Sequence, residues 1–177
     1  MATLLNFVAF QICWFACVLG AANGMGWLGP LAVLGFLGVH CAAHRRGTGK
    51  ADLVLALSLV GVGLVSDTLL TRFGWLSFDT GPKLGLVPLW MPALWANLAL
   101  TLRHSLGWLR GRYLLGAALG AISGPLSYWG GARLGALELH TDLVASLVAL
   151  ALAWSLAMPL ALFLENRGAP APVPTRP

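Results

Sequence analysis

Charge is what this chain has least of. Asp, Glu, Lys and Arg make up 10% of its 177 residues, against about 25% in a soluble domain. With 58% hydrophobic residues and a mean hydropathy of +0.81, it cannot cover a water-facing surface, and a bilayer is its natural solvent. Recognised catalytic motifs are missing as well. There is no G-x-S-x-G, no H-E-x-x-H and no phosphate-binding loop, so neither a standard nucleophile nor a zinc or nucleotide site is announced. No cofactor and no metal is predicted. Cysteine is scarce. Cys13, Cys17 and Cys41 lie in apolar runs without C-x-x-C or zinc spacing, and they are read as small apolar residues. No Lys or Arg precedes Asn6, so the basic n-region of a signal peptide is lacking and the first apolar run is expected to stay in the protein as a helix. Acids are outnumbered by bases, 6 to 11. The bases sit between apolar runs rather than on one face, which excludes nucleic acid as a partner and points to membrane orientation and anionic headgroups.

What is present is a series of apolar stretches, at 4–22, 27–43, 52–71, 87–102, 113–129 and 142–164. Each is near the length that crosses a bilayer. They predict an all-α membrane protein, a compact bundle of about six transmembrane helices forming a single domain over 1–164. Residues 165–177, rich in Pro and Ala, are expected to be a disordered cytoplasmic tail. Asp52 is read as a cap or first-turn residue of the third helix. Pro125 is expected to kink or stop the fifth. Eight bases (Arg45, Arg46, Lys50, Arg103, Arg110, Arg112, Arg167 and Arg176) then fall on one side and three (Arg72, Lys83 and Arg133) on the other. That split predicts both termini in the cytoplasm. Trp27, Trp75, Trp90, Trp108 and Trp129 fall near span ends, as an interfacial belt requires, with Trp14, Trp95 and Trp154 deeper.

Polar side chains within apolar runs are costly, so each is a candidate for function as well as for packing. Asn97, Thr101 and His104 follow i, i+4, i+7, one face of a helix. Asn6, Gln11 and His40 fall at a similar depth, and the six form a candidate polar site at the cytoplasmic end. A second candidate set lies at the other end. Asp67 is expected to pair with Arg72 or Arg133, with Tyr128 nearby, and Glu138 and His140 are on the same side. Gly116, Gly120 and Gly124 form a G-x-x-x-G-x-x-x-G face for close helix packing, internal or between chains.

Certain runs carry a resemblance. Pro88-Leu89-Trp90-Met91, Leu94-Trp95 and Thr101-Leu102-Arg103-His104-Ser105-Leu106-Gly107-Trp108-Leu109 resemble the signature of a family of small bacterial inner-membrane proteins of unknown function. Gly124-Pro125-Leu126-Ser127-Tyr128 with Gly131-Ala132-Arg133-Leu134-Gly135 is similar to its second motif, and Asn6 with Gln11-Ile12-Cys13-Trp14-Phe15 to its opening. The likeness extends to about Leu164. It implies a multi-pass protein of the bacterial inner membrane. Family genes often lie beside those for fatty-acyl cyclopropane synthases, which implies work on or around membrane lipids. The expectation is therefore a bundle that supports lipid or fatty-acyl modification, with membrane lipids as partners. The alternative is a non-enzymatic scaffold or small transporter subunit that pairs as a homodimer or with another membrane protein.

Overall fold

A computed structural model describes residues 2–44, 47–79, 81–140 and 142–167. Among these, six α-helices follow the apolar runs: α1 Ala2–Ala22, α2 Leu28–Ala43, α3 Gly49–Arg72, α4 Trp90–Leu102, α5 Tyr113–Arg133 and α6 Leu143–Arg167. Four two-residue strands form two antiparallel pairs: β1 Leu76–Ser77 with β4 Glu138–Leu139, and β2 Lys83–Leu84 with β3 Val87–Pro88.

Three helices are long and apolar enough to cross a membrane: the first, over Thr3–Ala22, and α3 and α6. Their outward faces are apolar. Leu4, Val54, Val144, Leu152 and Leu156 are exposed, a surface that suits a membrane protein. The other three helices depart from the uniform picture of the sequence. α2 is apolar but has 16 residues. α5 is diluted by glycine. α4 has only 13 residues, about 20 Å of helix against a hydrocarbon core of about 30 Å. Ten of those thirteen are buried, because α4 is enclosed by α1, α2 and α3. Its apolar side chains meet protein rather than the outside of the bundle.

Consecutive helices alternate in direction, as their end contacts show. At one end, Asn6 of α1 meets Ser105 after α4, His40 of α2 meets Asp52 of α3, and Glu165 of α6 meets Arg103 and Arg110. At the other end, the β1–β4 pair ties the 73–89 connection to the 134–142 connection, and Ser146 Oγ donates to Trp75 O at 2.9 Å. The first end carries Lys50, Arg103, Arg110, Arg112 and Arg167 and is called the basic end below.

Apolar burial gives little drive for helix association where lipid tails are the solvent, so close packing and hydrogen bonds hold the bundle. The α5–α6 interface uses the glycine face. A Cβ at Gly116, Gly120 or Gly124 would collide with Leu162, with Met158 and the Trp154 carbonyl, or with the Trp154 ring, respectively. Gly63 of α3 makes the same room for Trp95, which stacks on Trp154 with centroids 4.7 Å apart.

Three expectations need correction. Of the two outcomes expected at Pro125, a kink or a stop, the stop does not occur, since α5 runs on to Arg133. α6 extends to Arg167, so Glu165 belongs to a helix and is fully buried; residues 168–177 of the expected tail lie outside the described residues. Trp90 does not join an interfacial belt. It is 1% exposed and packs edge-on against Phe78.

Candidate functional site

The basic end holds a buried polar centre around Asp52. That residue sits in the first turn of α3, 1% exposed. Thr48 Oγ1 donates to its Oδ2 at 2.8 Å, and His40 Nε2 donates to the same oxygen at 3.0 Å. His104 Nε2 lies 3.5 Å from Oδ2, and Arg103 Nε lies 3.3 Å from Oδ1. Burying a carboxylate is expensive unless it is paired and hydrogen-bonded. Here the helix N-terminus, a hydroxyl, two imidazoles and a guanidinium all offset that cost.

Arg103 joins this centre to a second acid. Its Nε is 3.6 Å from Glu165 Oε1, and its Nη2 donates to the Glu165 carbonyl at 3.0 Å. Arg110 holds the same carboxylate through Nε and Nη2. This bond raises the guanidinium pKa of Arg110 further, so the residue stays cationic. Two acids and two arginines thus form one balanced chain. Arg103 is enclosed, while the Arg110 side chain is 48% exposed.

Three histidine rings cluster beside Asp52, His40 stacked on His44 and His104 edge-on to His40. His40 and His44 lie 4.5 Å apart by centroid, His40 and His104 4.6 Å, and His44 and His104 5.0 Å. Their tautomers follow from their partners. A carbonyl only accepts, so His44 Nδ1, 2.9 Å from His40 O, carries a proton. The His104 side chain is 21% exposed and is the route by which the centre meets its surroundings. Such an arrangement can accept or deliver a proton, with Asp52 orienting the imidazoles.

The six residues of the cytoplasmic-end candidate set do not form one site. His40 and His104 meet through Asp52. Asn6 instead donates to Leu100 O at 3.0 Å and accepts from Ser105 Oγ at 2.8 Å. Asn97 donates to Phe10 O at 3.0 Å. Both bind α1 to the α4 region. Thr101 bonds back to Leu98 O within its own helix, and Gln11, half-buried, makes no side-chain hydrogen bond among the described residues. The helical stripe fails because α4 ends at Leu102, leaving His104 on a turn.

The second candidate set divides as well. Asp67 is fully buried and accepts from Tyr128 Oη and from Trp95 Nε1 at 2.9 Å. Arg72 and Arg133 are both exposed and make no ion pair among the described residues. The expected pairing is therefore replaced by two neutral donors from α4 and α5. A small cavity of about 60 Å³, lined by Trp14, Trp95, Ser127, Tyr128 and Trp154 among others, lies beside this group. Trp154 Nε1 has no hydrogen-bond partner among the described residues, and the cavity has room for water.

Asp52, Arg103 and Glu165 were not among the sequence candidates. Asp52 was legible as a helix-start residue, and Glu165 fell where the tail was expected to begin. The available signal was sidedness, since all three lie at the end that carries Lys50, Arg110, Arg112 and Arg167.

A largely apolar helical bundle with buried polar groups around Asp52 and Asp67, and with three helices long and apolar enough to cross a membrane, is of a kind compatible with a small membrane protein. The chain belongs to the family described as "Protein of unknown function (DUF2878)", which it matches over residues 3–160. No curated protein and no solved structure matches it.

Proposed function

We propose that this is a multi-pass protein of the bacterial inner membrane, with both termini cytoplasmic, that engages anionic phospholipid at its basic end and supports or performs lipid or fatty-acyl modification there. The carrying observation is the Asp52–His40–His104 centre, buried beneath the exposed bases Lys50, Arg110 and Arg112 at one end of an apolar bundle. Eight bases on that side against three favour its placement in the cytoplasm, at the depth of lipid phosphates. Arg110 supplies charge-assisted bonds to phosphate. His104, partly exposed and backed by Asp52, supplies a proton acceptor beside the bound headgroup.

The test is lipid analysis of protein purified in mild detergent, together with a deletion strain and its parent. Anionic phospholipid should be enriched over bulk membrane, and Arg110→Ala should reduce that enrichment several-fold. The deletion should alter the acyl or headgroup profile. Bulk-like lipid on the protein and identical profiles under every growth condition would remove the proposal. The scaffold or transporter-subunit reading drew on the glycine face, and that face is filled by α6 of the same chain.

A further inference from the structure

Three ligand atoms converge at the basic end from three separate elements. They are His40 Nε2 near the end of α2, Asp52 Oδ2 in the first turn of α3, and His104 Nε2 on the turn after α4. All lie within 4.8 Å of one another. The His40–Asp52 and His104–Asp52 separations are 3.0 and 3.5 Å. Tetrahedral zinc with bonds of 2.0–2.2 Å sets its ligand atoms about 3.3–3.5 Å apart, so two edges of the triangle already stand near that value.

The remaining features of the cluster fit the same picture. His104 Nε2 is a buried atom with no hydrogen-bond partner among the described residues, which is costly unless something else engages it. Asp52 Oδ1 faces Arg103, the kind of outer partner that orients a ligating carboxylate, while Oδ2, which accepts from Thr48 Oγ1 at 2.8 Å, turns toward the two imidazoles. The His44 ring lies beside the cluster, 4.5 Å from that of His40 and 5.0 Å from that of His104. Arg103 and Arg110 are offset by Asp52 and Glu165, so no net positive charge within this network repels a dication.

We infer that His40, Asp52 and His104 form a binding site for one borderline divalent metal ion of the zinc type. Two imidazoles and one carboxylate suit such an ion better than calcium or magnesium, which prefer all-oxygen shells. Coordination through Nε2 requires His40 to carry its single ring proton on Nδ1, a change of tautomer that releases no proton to solvent. Three protein ligands leave a position open, as in catalytic rather than structural sites. The inference deepens the headgroup proposal, since it rests on the same centre and a metal there would face the lipid phosphate. It is measured without added lipid, so that either can fail alone.

Full-length protein in detergent, stripped with a chelator, is titrated with Zn²⁺ alone. One equivalent should bind. X-ray absorption on the wild-type zinc form should show two or three imidazoles per zinc, a readout that needs no variant to fold. His104→Ala and Asp52→Asn should each weaken binding more than about 10-fold with helix content and monodispersity retained. Absence of stoichiometric uptake, zinc without imidazole ligands, or affinity unchanged in both folded variants would overturn the site.

Discussion

Asp67 has two hydrogen-bond donors and no ion-pair partner among the described residues. Removing one donor leaves a buried oxygen unmatched, and in a membrane bundle such a bond is worth about 1 kcal/mol. Tyr128→Phe should therefore lower the thermal unfolding midpoint of the detergent-solubilised protein. The other tyrosine, Tyr113, accepts only an exposed bond from Asn166 at 3.3 Å. Tyr113→Phe should change stability by less than about 0.5 kcal/mol. Equal midpoints for the two variants would mean that Asp67 does not depend on Tyr128. The residue scale is also where sequence reading stops short. His40, His104, Asp67 and Tyr128 could be singled out because polar groups in apolar runs are conspicuous. Their partners could not, because Arg103 reaches Glu165 across 62 positions and Tyr128 reaches Asp67 across 61. Hydropathy records depth in the bilayer, not which helix stands beside which.

Helices were legible for that same reason. Each apolar run coincides with one, and the ends differ by a few residues where the last turn is polar, as at Glu165–Arg167. What hydropathy could not tell apart was a helix buried by lipid and one buried by protein. α4 is the second kind, and its apolar character reflects α1, α2 and α3 around it. The glycine spacing of α5 was readable as a packing face, but whether it met its own chain or another was not. The structure places it against α6, and substitutions separate the two cases. Gly124→Leu would drive a side chain into Trp154 and should cost several kcal/mol, in the range of severe overpacking, seen as loss of folded protein at the membrane. Gly38 has nothing within 4 Å of an added Cβ. Gly38→Ala should be neutral or stabilising by up to about 1 kcal/mol, the helix propensity difference. Gly124→Leu protein that is normally folded and merely monomeric would contradict this placement.

For the whole molecule, the charge split makes a prediction about orientation. Reporter fusions at the C-terminus and in the 45–50 connection should be active as cytoplasmic reporters, and fusions in the 73–89 and 134–142 connections as external ones. Opposite activities at the last two positions would reverse the molecule, and matching activities at all four would exclude the alternating arrangement in a membrane. The shortness of α4 has a consequence for sidedness. The space above its first turn is stopped by Phe78, Val87, Pro88 and Trp90, all buried, while its last turn opens onto partly exposed His104 and exposed Arg110. The polar centre therefore meets its surroundings at the basic end and not past the first turn of α4. If the centre engages lipid as proposed, its ligand comes and goes at the basic end alone.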